Sequence, residues 1–215
     1  YLDDHGLEEI DVQMTYVHLD TEMIKRFRET MTREELESWY QRLLDSYHKW
    51  LSYQMKWREE RNRSMEKLEF PFIYRKGQKE MVAGIYHAQI FIQAPTGVGK
   101  TMSAVFPAVR SIGEGKAETL FYLTARTITR TVAQDAFEIL RKNGLLFKTV
   151  TITAKEKLCF CEKPECNPET CPYAKGHYDR INDAVYELWT NEQSFDRETI
   201  LRQAEKWQGC PFEMS

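Results

Sequence analysis

A glycine-rich segment that follows an apolar run constrains the fold of this chain most strongly. The run covers residues 90–94, and the chain continues as Ala94-Pro95-Thr96-Gly97-Val98-Gly99-Lys100-Thr101. The pattern fits GxxxxGK[ST], except that Ala94 stands at the first glycine position. A strand, a phosphate-binding loop and the start of a helix, in this order, are typical of α/β proteins with a parallel sheet. The segment therefore predicts a nucleotide-binding fold.

The chemistry of the loop indicates which ligand it holds. Glycines let backbone N–H groups converge on phosphate oxygens without an intervening Cβ, and the helix that follows adds the positive end of its dipole. The ammonium of Lys100 suits the β- and γ-phosphates, and the hydroxyl of Thr101 suits Mg²⁺. We predict an ATP–Mg²⁺ site in which Lys100 and Thr101 serve catalysis and the binding residues are Thr96, Gly97, Val98, Gly99, Lys100 and Thr101.

Strand and helix patterns alternate around this loop. Strands are predicted at residues 90–94, 119–124 and 148–153, and helices at residues 101–112 and 128–142, the second ending at Asn143-Gly144. Pro107 falls inside the first helix, where it requires a kink or a first-turn position. The alternation predicts a parallel α/β sheet. Because Pro71 disfavours helix in the residue before it, we expect this domain to begin near Glu69.

The first 68 residues have a different pattern. Residues 7–27 alternate between apolar and polar side chains and predict a strand pair with a turn at residues 20–22. Thr32 and Glu35 have capping-box spacing, and a long amphipathic helix is predicted after them. We expect a small α+β segment over residues 1–68. Since the chain begins with Tyr1 and stops soon after its last cysteine, we interpret both ends as cuts through a larger polypeptide.

Five cysteines lie between residues 159 and 210, downstream of the loop. An odd number argues against a secreted disulfide framework and favours reduced thiolates that hold a metal in a cytosolic protein. The candidate ligands are Cys159, Cys166, Cys171 and Cys210, and Cys161 could replace Cys159. Both an iron–sulfur cluster and a structural zinc ion take four thiolates. Paired CxxC knuckles are missing, and the fourth cysteine lies far beyond the third, across a helix predicted at residues 179–190. Both features argue mildly against zinc.

Composition limits the possible partners. The formal net charge is −3, so a nucleic-acid site must be a local patch. No apolar run approaches the roughly 20 residues that span a bilayer, and we expect no membrane partner. A mixture of cations and rings follows the third cysteine and suits a single-stranded nucleic acid. Its members are Tyr173, Lys175, His177, Tyr178 and Arg180, of which His177 is expected at the surface rather than as a ligand.

Three segments resemble motifs of superfamily 2 helicases. The Ala-Pro-Thr-Gly opening of the loop resembles their Walker A motif, residues 74–78 resemble their adenine-reading element, and residues 122–127 resemble motif Ia. The resemblance implies that Gln78 reads the adenine edge and that Arg75 belongs to the same cofactor site. It further implies contacts to the phosphates of single-stranded DNA by Thr124, Arg126 and Thr127.

The order of the cysteines resembles the insert of XPD/DinG-type helicases, in particular their bacterial, DEAD_2-like members. The resemblance implies a RecA-like parallel sheet over residues 69–156, as part of motor domain 1, and a helical iron–sulfur insert over residues 157–215. In that family the four cysteines hold a 4Fe–4S cluster. It also implies an ATP-dependent 5′→3′ DNA helicase that acts on single-stranded and forked DNA in repair or replication, in the cytoplasm near the nucleoid.

Departures from this family leave other interpretations open. No DEAH-like acidic box follows the loop, so we expect the isolated chain to hold nucleotide weakly without unwinding DNA. Residues 12–16 and the helix after them are weakly similar to the end of RecB-like nuclease domains, but the D/E-x-K motif is missing. The alternative from another class is a non-enzymatic zinc-binding nucleic-acid module with a degenerate P-loop. A metabolic P-loop kinase would give the cysteines no role.

Overall fold

The computed structural model describes residues 1–87, 90–125, 127–163 and 165–215, without the side chains of residues 127 and 128. The chain comprises two compact units, Tyr1–Lys56 and Trp57–Ser215. Its elements, in chain order, are α1 (Leu2–His5), β1 (Glu9–Val17), β2 (Ile24–Thr32), α2 (Arg33–Glu66), α3 (Gln78–His87), α4 (Lys100–Gly113), α5 (Thr127–Lys142), β3 (Thr149–Val150), α6 (Lys155–Leu158), α7 (His177–Asn191), β4 (Ser194–Phe195), α8 (Arg197–Trp207) and α9 (Pro211–Met214).

The first unit contains the predicted strand pair. β1 and β2 are antiparallel, with Glu9 opposite Thr32 and Val17 opposite Ile24. The predicted capping box is also confirmed. The Thr32 backbone N–H donates to Glu35 Oε2 at 2.8 Å, and the Glu35 N–H donates to Thr32 Oγ1 at 3.3 Å. These bonds satisfy N–H groups that lack partners at a helix start, and the bond from the Thr32 N–H lowers the pKa of Glu35.

One hydrophobic core of the second unit forms around α4. The end of α2 and the segment just after it pack with α4 and α5 through the buried side chains of Met65, Leu68, Val109, Ile112 and Leu140. The close approach requires a small residue, because a Cβ added to Gly113 would lie 2.5 Å from the Met65 Cβ. Pro107 lies inside α4 and is buried, so the helix accommodates it beyond the first turn.

A second core joins the elements of the cysteine segment. Its buried members come from α6, α7, β4, α8 and α9, and they are Leu158, Ala184, Leu188, Phe195, Ile200, Ala204 and Met214. Within this core Glu187 connects α7 with α8, since its carboxylate accepts hydrogen bonds from Trp207 Nε1 at 2.6 Å and Gln203 Nε2 at 3.2 Å and pairs with Lys206. The helix predicted between residues 179 and 190 is confirmed as the central part of α7.

The predicted parallel sheet differs most from the structure. Within the described residues, segments 90–94 and 119–124 form no strands, and Phe91, Phe121 and Leu123 are exposed. A buried strand needs neighbouring strands to pair with, and among the described residues no strand pairs with either segment. The strand predicted at 148–153 is reduced to β3, which pairs in parallel with β4. β4 was not predicted. The structure is therefore a mixed α/β fold that is mainly helical, and a RecA-like sheet stays a prediction.

The predicted division into residues 1–68, 69–156 and 157–215 also stays a prediction. The boundary between the compact units lies at residue 56, and Met65 and Leu68 belong to the core around α4.

Among the described helices, none combines the length and apolar character that crossing a bilayer requires.

Candidate nucleotide and cysteine sites

The glycine-rich loop has the backbone conformation that its sequence predicts. Gly97 and Gly99 have φ values of 82° and 81°, in the left-handed region that side chains with a Cβ disfavour. Gly99 precedes α4, whose first residue is Lys100. The Lys100 ammonium donates to the carbonyls of Ala94 at 2.8 Å and Pro95 at 2.7 Å. The cation is thus held at the loop by bonds that phosphate oxygens could replace.

The predicted adenine-reading element lies against the same loop. Gln78 begins α3, which packs on α4, and its side chain is buried. Its Oε1 accepts from the Arg75 backbone N–H at 3.0 Å, and the Arg75 guanidinium donates to the Gly97 carbonyl. A Cβ added to Gly99 would lie 2.6 Å from Gln78 Nε2. The structure therefore brings Arg75 and Gln78 together with the loop, across about 20 residues of sequence.

The loop residues Thr96, Val98 and Thr101 occupy their expected positions. Thr96 lies in the turn before Gly97, Val98 separates the two glycines, and Thr101 belongs to the first turn of α4. The predicted DNA contacts are less fully described. Thr124 is exposed, α5 begins at Thr127, and Arg126 and the Thr127 side chain lie outside the described residues. The role of these three residues stays a prediction.

All five cysteines line one cavity of about 130 Å³. Cys159 directly follows α6 and Cys210 directly precedes α9, and these two short helices pack against each other. Leu158 and Pro211, which neighbour the two cysteines, are fully buried and fix both positions in the second core. Although Cys210 is distant in sequence, the fold thus returns it to the first four cysteines.

Two contacts define the electrostatics of this cavity. The Cys161 and Cys171 sulfurs are 3.9 Å apart, and hydrogen bonding to Cys171 together with desolvation raises the pKa of Cys161 to about 11. The Lys155 side chain hydrogen-bonds to Cys166, which raises the pKa of Lys155. Its ammonium also lies 5.3 Å from the centre of the Phe212 ring. Lys155 therefore places a cation at the wall of the cavity, beside Cys166.

The chemistry of the cavity fits an iron–sulfur cluster. Sulfur is the ligand that such clusters take, and the walls offer five sulfurs, a cation and aromatic rings. Two of these rings, Phe160 and Tyr173, have their centres 4.7 Å apart. Across the part of the chain that the structure describes, no three candidate ligands are close enough to enclose a single metal ion.

Sequence reasoning missed two residues of the cysteine cavity. His177 was expected at the surface, and this is wrong, because only 6% of it is exposed and it lines the cavity. The available sequence signal was that His177 lies shortly after Cys171, at the start of a helix. Lys155 was not considered. It precedes Cys159 by four residues, a spacing that on a helix brings two side chains to the same face.

Comparison with known proteins agrees with the helicase motifs. Residues 75–167 match the family of DEAD/DEAH box helicases. The match begins at Arg75 and ends just after Cys166, so it includes Arg75, Gln78, the glycine-rich loop and three of the cysteines. This segment is accordingly assigned to the helicase superfamilies, for which ATP, Mg²⁺ and nucleic acid are plausible ligands. No curated protein and no solved structure matches the chain.

Proposed function

We propose that the chain is part of an ATP-dependent 5′→3′ DNA helicase that carries a 4Fe–4S cluster. The observation that supports this most is the continuity of the helicase-family match, which runs from the nucleotide loop into a segment whose cysteines line one cavity. A nucleotide loop alone is compatible with many enzymes, and a thiol cavity alone with many metal proteins. Their combination in one compact unit favours an iron–sulfur helicase.

The proposed roles follow the geometry. Gln78 and Arg75 would bind adenine and support the loop, and Lys100 and Thr101 would act on the phosphates and Mg²⁺. Cys159, Cys166, Cys171 and Cys210 would hold the cluster, with Cys161 as the spare thiol. The cluster would supply a rigid, covalently connected support for the helical insert. Single-stranded and forked DNA are the proposed substrates, with Thr124, Arg126 and Thr127 at the phosphates.

A zinc site is the second candidate, because one distance favours it. Two thiolates on a tetrahedral zinc ion are roughly 3.8 Å apart, given Zn–S bonds of about 2.3 Å. Cys161 and Cys171 lie at 3.9 Å. In this case Cys161 would be a ligand, and the protein would be a nucleic-acid-binding module.

Metal analysis distinguishes the two candidates. The chain is purified without oxygen, and iron, acid-labile sulfide and zinc are measured per chain. Four irons and four sulfides, with broad absorption near about 400 nm, are expected for the cluster. A colourless protein with one tightly held zinc and no iron would contradict the helicase proposal and support the zinc module. We expect nucleotide binding without steady DNA-stimulated turnover from this chain, and such turnover would contradict that part of the proposal.

A further inference from the structure

The position of Cys210 depends on contacts far from it in sequence. Cys159, Cys161, Cys166 and Cys171 lie within one short segment, whereas Cys210 follows α7 and α8. These two helices pack against each other, and α8 packs against α9. The position of Cys210 at the cavity therefore depends on the contacts between the start of α7 and the chain around Cys210.

His177 makes this connection directly. It is the first residue of α7, it is buried, and it lines the cysteine cavity. The backbone N–H of Cys210 donates to His177 Nδ1 at 3.3 Å. The bond requires Nδ1 to carry no proton, so the neutral ring has its proton on Nε2.

Arg180 reinforces the connection one turn later. Its Nε donates to the Trp207 carbonyl at 3.0 Å, and its Nη2 donates to the carbonyls of Lys175 and Gln208, both at 2.8 Å. The guanidinium thus joins the segment after Cys171 to the end of α8. Gln208 has a φ of 49°, a left-handed conformation that ends α8 and turns the chain toward Cys210.

We infer that His177 is a positioning residue for the metal centre: by accepting the Cys210 backbone N–H, it holds the fourth cysteine at the cavity. The inference rests on the proposed metal site. His177 does not bind the metal in this arrangement, because its Nδ1 accepts the backbone N–H and its Nε2 then carries the proton of the neutral ring. It acts through the ligand, and residues that orient ligands in this way typically contribute about 10- to 100-fold to metal affinity.

Three substitutions test the inference. His177→Asn keeps a hydrogen-bond acceptor close to the position of Nδ1, His177→Gln moves it one bond farther from the backbone, and His177→Leu removes it. His87→Leu, at the end of α3, controls for the loss of a histidine elsewhere. For each protein, purified anaerobically, the iron content and the half-time of iron release to a chelator are measured, and circular dichroism reports the helix content.

The wild type decides first whether the proposed function holds, because a wild type without iron contradicts the cluster itself. Given iron in the wild type, we expect release about tenfold faster or more from the Leu and Gln variants. The Asn variant and the His87 control should stay within about twofold of wild type. Should the Leu variant lose its helix content, the comparison of Asn with Gln decides. Equal release from the Asn and Gln variants, or wild-type release from a folded Leu variant, would overturn the inference.

Discussion

The region around the nucleotide loop and the cysteine segment lie in the same unit but are stabilised differently. The cysteine segment consists of short helices around one core, and side chains such as Glu187 and Arg180 join its distant parts. Near the loop, segments 90–94 and 119–124 have no strand partner among the described residues and expose Phe91 and Leu123. Helices satisfy their own backbone groups, whereas a strand depends on neighbours. The helical cysteine segment therefore forms its secondary structure from its own residues, whereas the segments beside the loop do not form strands without a partner.

The largest expected effect concerns a cysteine ligand. Cys171→Ser removes a sulfur that lies in the cavity beside Cys161, and serine does not replace sulfur as a cluster ligand. We expect the variant to lose most of its iron, while Cys161→Ser, the matched control, keeps it. Iron and sulfide per chain are the measurement. Iron loss from the Cys161 variant would instead identify Cys161 as a ligand, and iron retention by the Cys171 variant would contradict the assigned ligand set.

The two regions also differ in how far the sequence predicts them. Periodicity and capping signals located α2, α4, α5 and α7 within a few residues, because helices depend on near neighbours in sequence. The structure places the Gln78 side chain beside Gly99 of the loop, and the adenine-reading role that the family resemblance implies for it stays a prediction. Strand formation at residues 90–94 was not predictable from an apolar run, since it depends on pairing. The burial of His177 was missed because it depends on Cys210, 33 residues away.

In the nucleotide region, the largest effect is expected from Lys100. Lys100→Ala removes the only cation that the predicted motif assigns to the phosphates, and losing one charge-assisted hydrogen bond costs about 1.5–3 kcal/mol. We expect the Kd for ATP to rise about 10- to 100-fold. Lys116→Ala, outside the loop, is the control and should leave the Kd unchanged. Fluorescent-nucleotide titration measures both. Equal affinities for ATP in the Lys100 variant and the wild type would contradict the proposed nucleotide site.

A smaller effect separates backbone strain from contact with Gln78. Gly99→Ala and Gly115→Ala both put a Cβ at a positive φ, 81° and 73°, and each should cost about 1–2 kcal/mol of stability. Only at Gly99 would the new Cβ meet a side chain, Gln78 Nε2, at 2.6 Å. We therefore expect weaker ATP binding in the Gly99 variant alone. Urea denaturation and nucleotide titration are the measurements, and weaker binding in both variants would exclude a specific role for the Gln78 contact.

The smallest effect is expected from acid, in the cysteine segment. Hydrogen bonds from Lys206, Trp207 and Gln203 lower the pKa of Glu187 to about 2, from 4.5. Because the folded pKa is the lower one, the unfolded chain binds more protons between these values, and the stabilisation by Glu187 is present above about pH 4.5 and is lost as the pH falls toward 2. Glu187→Gln should be less stable near neutral pH and should lose less stability on acidification. Glu205→Gln, an exposed change on α8, should follow the wild type. Urea midpoints between pH 6 and 2 measure this, and parallel curves for Glu187→Gln and the wild type would show that this ion-paired connection between α7 and α8 does not hold the segment together.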